Sequence, residues 1–228
     1  SGSKGIFNKN IRLIAGKPLV QFTIEAATKC QYIDKCYLSS NCDIILQTSK
    51  KFNIDAIKRP EEFATDTSTS IDVVNHFIST LSIDMIKRNP FIIYLQPTSP
   101  LRNSNHIKRA IDLMLKCDAI NLLSVVKDQK TPFKSFKLDD NGFLQSLFDE
   151  KLSNSNRQDL PQTYTANGAI FIFRLQEFQK RQGFPSNGSV PFIMSPQDSI
   201  DIDTEQDIIN VTQIIMHKRE HDCYAELN

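Results

Sequence analysis

Two groups of charged residues, at opposite ends of the chain, have the types and spacing for chemistry. The opening stretch from Ser1 to Arg12 contains Ser3, the cations Lys4, Lys9 and Arg12, the amide Asn10 and the glycines Gly2 and Gly5, and no acid precedes Glu25. Amides of a glycine-bearing loop approach an anion closely while lysines neutralise it, which suits a polyphosphate; a solvated terminus is the alternative. The P-loop pattern GxxxxGK[ST] is absent. Near the other end, Ser199-Ile-Asp201-Ile-Asp203-Thr-Glu205 alternates, so Asp201 and Asp203 share one face of an extended segment and Ile200 and Ile202 the opposite one. Two convergent carboxylates suit a hard cation such as magnesium, which keeps several waters and bridges to phosphates. An acidic first helical turn is the alternative, and it suits Glu205 and Asp207 better than the Asp pair. No Lys or Arg lies between Arg181 and Lys218, so nothing local neutralises the acids.

Three further stretches carry polar groups in stiff or hydroxyl-rich loops. Gln96-Pro-Thr-Ser-Pro-Leu-Arg102 follows an apolar run, where an open α/β sheet places its ligands. Its two prolines predict a rigid turn presenting Gln96, Ser99 and Arg102, or a plain strand-to-helix connection. The stretch from Arg59 to Ser70 ends in Ser68-Thr69-Ser70 before a helical pattern; capping is the default role for these hydroxyls. Asn167-Gly168 precedes a buried strand, either as a turn or as an amide lining a pocket. His217 and His221 share an i, i+4 spacing with no third ligand, and neither GxSxG nor HExxH occurs.

These groups need a scaffold, and composition bounds it. The 228 residues carry 27 Lys plus Arg against 26 Asp plus Glu, a net charge of +1, which excludes a globally basic nucleic-acid binder. Five cysteines without a CxxC pair argue against a zinc knuckle or a disulfide framework, and no apolar run approaches a membrane span. A cytoplasmic protein is the expectation. Only seven glycines occur, three of them within the first sixteen residues.

Hydrophobic periodicity predicts helices over 18–29, 43–52 (Ile44, Ile45 and Leu46 inward), 70–81, 105–116 and 177–181, and a last one capped by Thr204 with Asp207. Strands are expected at 35–40, 54–58, 91–95, 120–126, 169–173 and 190–194. Continuous apolar strands between amphipathic helices predict an α/β fold with a mostly parallel sheet flanked by helices. The rhythm changes at Phe133, where a hairpin around Asp139-Asp-Asn-Gly142 is expected, and 152–165 reads as a loop.

GSKGIxxKNIR, RPxExAxDTSTS, YLQPTSPLR, NGAIFI and QDSIDIDTEQD, in that order, resemble the CMP-sialic acid synthetases, or acylneuraminate cytidylyltransferases, over essentially the whole chain. The resemblance implies a Rossmann-like nucleotidyltransferase fold in a single domain, 1–228, with a dimerisation arm at about 133–150 that reaches over the partner's sugar site. It implies transfer of CMP from CTP to the anomeric hydroxyl of a nine-carbon 2-keto sugar acid, with release of pyrophosphate and with Mg2+. By similarity Lys4 and Lys9 hold the triphosphate, with Ser3 beside them, Asn10 and Arg59 hold the cytosine end, and Ser70 the ribose or a phosphate. Gln96, Arg157, Asn167 and Phe171 fall to the sugar-acid pocket, with Lys134 nearby and the Phe184 region contributing across a homodimer interface. Asp201 and Asp203 carry the metal, and Asp201 or a metal-bound water takes the proton of the attacking hydroxyl. Relatives place an apolar strand and an Ala-Arg pair ahead of the glycine loop, which this sequence does not contain, and many have arginine where Thr165 stands. Activation of neuraminate, legionaminate or pseudaminate is the expectation; the alternatives are activation of the eight-carbon lipopolysaccharide sugar acid, a glycosyltransferase whose Asp-x-Asp holds a nucleotide sugar, and a nucleotide-binding domain inactive without its first strand.

Overall fold

The structure, a computed structural model, describes residues 6–65 and 67–225, the last five by backbone alone. A short ribbon, β1 (Leu13–Ile14) and β2 (Lys17–Pro18), leads into α1 (Leu19–Thr28), β3 (Tyr37–Ser40), α2 (Asp43–Phe52) and β4 (Asp55–Lys58). Then come α3 (Ser70–Ser79), α4 (Ile83–Lys87), β5 (Phe91–Tyr94), α5 (Ser104–Lys116) and β6 (Asn121–Lys127). The hairpin β7 (Phe136–Leu138) and β8 (Leu144–Ser146) precedes α6 (Glu150–Asn154), β9 (Tyr164–Arg174), α7 (Leu175–Arg181), β10 (Val190–Met194) and α8 (Glu205–Ala225).

The central sheet has the order β10-β6-β9-β5, and β3 pairs in parallel with β4 in a separate two-stranded sheet. β10 runs parallel to β6, whereas β9 runs antiparallel to both β6 and β5, so three of the four strands point one way. The reversal of β9 follows from the hairpin: the chain leaves β6 for the appendage and returns directly alongside it, without the helical crossover a parallel neighbour requires. Along β5 and β9, alternate residues serve opposite faces. Ile93, Ile170 and Ile172 join Ile107, Ala110 and Met114 of α5, while Ile92, Tyr94, Phe171 and Phe173 join Val74 and Ile78 of α3 and Phe178 of α7.

Differences from the sequence expectation have local causes. Ile44 is 62% exposed while Ile45 is buried, because a step of 100° per residue cannot turn three consecutive side chains inward. β9 begins five residues before the expected strand, and α4 and α6 are single-turn elements too short to leave a periodic signature. The expected hairpin turn is present: Gly142 has φ +83°, and Asp139 Oδ1 accepts from the amides of Asn141 and Phe143.

The longer β9 contains a wide bulge. Leu123 of β6 faces Phe171 and Val125 faces Ala166, so residues 167–170 bow out opposite Ser124. Ser124 Oγ fills the gap, donating to Asn167 Oδ1 at 2.6 Å and accepting from the Ile170 amide at 2.7 Å. Gly168 sits in the bulge at φ +71°, where a Cβ would lie 2.6 Å from Gln96 Oε1. Gly168→Ala therefore combines left-handed strain with a clash, and is expected to cost about 2 kcal/mol or more in urea unfolding. Adding Gln96→Ser should recover the clash portion; a wild-type midpoint for Gly168→Ala would contradict this packing.

α5 is capped reciprocally, with Asn103 Oδ1 accepting from the His106 amide and His106 Nδ1 accepting from the Asn103 amide. Only neutral imidazole can accept at Nδ1. Burial lowers the His106 pKa from 6.5, Asp198 opposes this, and Arg109, Lys218 and Arg102 add to the lowering. The folded state thus binds its proton less readily than the unfolded chain, and the stabilisation present above about pH 6.5 is lost as pH falls towards the lower folded value. Urea midpoints between about pH 8 and pH 5 should drop more in the wild type than in His106→Gln, which keeps a capping side chain, by about 1 kcal/mol. Equal drops would contradict this cap.

Candidate active site

Apolar packing of the two ends of the chain creates the site. Ile6, Ile14 and Leu19 pack against Ile202, Ile208 and Val211, all buried, with Leu101 from the loop after β5. The alternation expected for Ser199–Glu205 holds, since Ile202 is fully buried, Asp201 is half-buried and Asp203 exposed. On the same scaffold, the 3-10 turn Lys9–Ile11 lies across the acidic segment. Lys9 Nζ donates to Ile202 O at 2.7 Å and to Asp203 Oδ1 at 3.1 Å, and Arg12 meets Glu205 at 2.8 Å. The acids without local counter-charges are thus met by cations more than 190 residues away. Asp207 instead caps α8, accepting from the Thr204 amide and hydroxyl, each at 2.7 Å.

The Ile202 amide donates to Thr98 O at 2.9 Å, binding the acidic segment to the Gln96–Arg102 loop. Asp201 Oδ1 is buried and has no hydrogen-bond partner among the described residues. Burial raises the Asp201 pKa, with Asp203 adding to the rise and the Thr98 side chain and Lys9 opposing it. Among the described residues no cluster of three acidic, histidine or cysteine ligands occurs. Magnesium does not need one, because it takes one or two carboxylates and completes its shell with waters and phosphate oxygens. The Asp201 and Asp203 carboxylates, one with an unsatisfied buried oxygen, fit such an ion.

The loop after β5 is turned inward instead of presenting all three of its expected residues. Ser99 and Arg102 are each 1% exposed. Arg102 Nη2 donates to Thr23 Oγ1 at 2.6 Å and to Gln96 O at 3.0 Å, and burial lowers its pKa to about 9, so it remains charged at neutral pH and braces the loop from below. Gln96 is left half-buried at the surface of the site, with Nε2 donating to Ser70 Oγ at 3.2 Å. Thr69 is the N-cap of α3 and completes a capping box with Asp72, which frees Ser70 from that duty. Ser70 Oγ also accepts from Tyr94 Oη at 3.1 Å. Arg59 follows β4 on the same side; its Nε is buried without a described partner, and burial lowers its pKa against the opposing influence of nearby Tyr94.

Asn167 is buried and spends most of its capacity on structure. Its Oδ1 accepts from Ser124 and from the Ala169 amide, and Nδ2 donates to Ser199 at 2.9 Å. Phe171 packs on Tyr94 and Phe184 at centroid distances of 5.9 and 4.7 Å, and Phe184 is packed within its own chain. Asn10 is half-buried in the turn that carries Lys9. Lys134 is exposed on the arm and Arg157 is exposed in the 3-10 turn Arg157–Asp159 beyond it, bonding Gln129 O, and no described contact joins either to Gln96 or Asn167. Thr165, at the position where arginine was expected by resemblance, donates to Asp128 at 2.6 Å. Ser3 and Lys4 lie outside the described residues. Sequence reasoning missed Tyr94, Thr98, Ser124 and Ser199, whose small or apolar-run contexts carry no chemical signature; only the i, i+2 relation of Tyr94 to Gln96 in a strand register pointed to a shared face.

Arg59, Gln96 and the Asp201–Asp203 segment follow the carboxyl ends of β4, β5 and β10, the edge where open α/β sheets bind ligands. Comparison with known proteins identifies the family. The N-acylneuraminate cytidylyltransferase of Streptococcus agalactiae serotype III is 32% identical over 213 residues, covering 92% of this chain and 50% of that protein. That of Escherichia coli O18:K1:H7 is 34% identical over 208 residues, 91% of this chain and 48% of its own length. The chain therefore spans about half the length of these relatives. The CMP-N,N'-diacetyllegionaminic acid synthase of Legionella pneumophila is 30% identical over 214 residues, 91% of this chain and 89% of that protein. A CMP:2-keto-3-deoxy-manno-octonic acid synthetase, solved in complex with CTP, shares the fold with a TM-score of 0.66 at 14% identity, covering 95% of each chain. The profile of the cytidylyltransferase family matches residues 1–216, and the chain belongs to that family.

Proposed function

We propose that the protein transfers CMP from CTP to the anomeric hydroxyl of a nine-carbon 2-keto sugar acid of the sialic acid type, releasing pyrophosphate. The observation that supports this reading best is the convergence of Lys9 on the Asp201–Asp203 segment, a cation and two carboxylates held at the strand ends. In-line attack forms a bond from the anomeric oxygen to the α-phosphorus as the bond to the pyrophosphate oxygen breaks, and positioning with charge neutralisation dominates such a step. Lys9 neutralises phosphate oxygens, with Lys4 and Ser3 assigned by resemblance to the same triphosphate. Asp201 and Asp203 would hold Mg2+, which would supply further charge neutralisation at the phosphates. The half-buried Asp201 carboxylate is this chain's candidate to receive the proton of the attacking hydroxyl. Asn10, Arg59 and Ser70 orient the nucleotide, and Gln96 and Phe171 border the sugar acid. Asn167 acts there by holding the β9 bulge.

The hairpin arm fits a role in a homodimer: Leu138, Phe143 and Leu144 are 66–71% exposed, an apolar surface that a second copy would cover, bringing Lys134 and Arg157 to its partner's site. The legionaminic acid synthase relative, matched over most of its length, supports legionaminate as the second candidate substrate. Among the described residues no helix is long and apolar enough to cross a membrane. Incubation with CTP, magnesium and a panel of neuraminate, legionaminate, pseudaminate and the eight-carbon keto acid should release pyrophosphate with a nine-carbon acid. Asp201→Ala should reduce turnover roughly 100-fold or more. Release with none of the nine-carbon acids, or unchanged turnover in Asp201→Ala, would contradict the proposal.

A further inference from the structure

Ser70 opens α3, yet its hydroxyl does not cap the helix, because Thr69 and Asp72 do so. Two donors converge on Ser70 Oγ from the sheet, Tyr94 Oη at 3.1 Å and Gln96 Nε2 at 3.2 Å. A serine hydroxyl has two acceptor lone pairs and one proton. With both lone pairs engaged, the proton is its only remaining capacity, and no described residue accepts it. The hydroxyl is thus held as a donor beside the first-turn amides of α3, and Arg59, whose Nε is buried without a described partner, lies near enough to Tyr94 to be influenced by it.

We infer that Tyr94 is a positioning residue, acting through Ser70 by fixing that hydroxyl as a hydrogen-bond donor to the nucleotide. The inference rests on the cytidylyltransfer reading for the identity of the ligand. The Tyr94 ring packs against the mutually contacting rings of Phe171 and Phe184, at 5.9 and 5.2 Å, and this aromatic cluster sets the direction of its hydroxyl. Gln96, from the sugar-acid side, engages the same oxygen, so a single hydroxyl joins the two halves of the site.

Tyr94→Phe keeps the ring packing and removes only the hydroxyl, which makes the test clean. CTP affinity by calorimetry, and KM and kcat by pyrophosphate release, are measured for wild type, Tyr94→Phe, Ser70→Ala and the double variant. Tyr94→Phe should weaken CTP binding and raise its KM roughly three- to tenfold, with kcat within about twofold, as expected for loss of one hydrogen bond. In the Ser70→Ala background the same change should add nothing. An unchanged CTP affinity in Tyr94→Phe, or an equal loss in the Ser70→Ala background, overturns the inference, the latter showing that Tyr94 acts directly or by packing. If Ser70→Ala fails to fold, Ser70→Thr in both backgrounds replaces it: the retained hydroxyl should keep the response to Tyr94→Phe, and its loss overturns the inference. A wild type that binds CTP but turns over no sugar acid defeats the functional reading alone, since the affinity comparison still decides the role of Tyr94. A wild type that does not bind CTP defeats both.

Discussion

The apolar contact between the two ends of the chain is the constraint on which the site depends. Lys9 and Asp203 are 194 residues apart, and Asp203 is 72% exposed, so their ion pair contributes no more than about 1 kcal/mol. Ile6, Ile14, Leu19, Ile202, Ile208 and Val211 are all buried, and each such side chain stabilises by about 1.5–3 kcal/mol. The cluster therefore brings the 6–19 and 202–211 segments together, and the charges ride on it. Because Ile202 points into this cluster, its neighbours Asp201 and Asp203 must point out of it, and the Ile202 amide is in turn fixed to Thr98. Packing of one isoleucine thus orients both carboxylates.

A second constraint is the departure of β9 from a regular ladder. The bulge opposite Ser124 leaves Gly168 against Gln96, and a side chain at residue 168 would push that amide away from Ser70. Arg102 holds the same glutamine by its main-chain carbonyl, from inside the protein. Gln96 is fixed from its backbone, its side-chain nitrogen and its flank, so the ordering cost of the site is met during folding and not at ligand binding.

Most of the fold was legible because its signals are local. The helix Asp43–Phe52 and the strand Val190–Met194 coincide with the expected elements, and the Thr204–Asp207 and Asp139–Gly142 motifs act as their residue types suggested. The cationic opening and the Asp pair stood out because each is a run of one charge type. What stayed illegible depends on which strand lies beside which. The direction of β9, the closeness of Gly168 to Gln96, and the burial of Ser99 and Arg102 all follow from tertiary placement. Asn167 shows the limit clearly: its motif marked an important amide, and only the geometry shows that the amide braces a bulge. Ser70 shows the converse, since the capping box of its neighbour is what leaves its hydroxyl for the site.

The proposal turns on Lys9 and the Asp201–Asp203 pair jointly forming the triphosphate end of the site, where the two carboxylates would hold a divalent cation. Calorimetric CTP affinity of Asp203→Asn, compared with wild type in chelator and in magnesium, tests it most directly. In chelator the substitution removes a like charge and releases Lys9, so CTP should bind more tightly than to wild type; in magnesium it removes a metal ligand, so CTP should bind more weakly. A change of the same sign in both conditions, or none in either, would contradict the account.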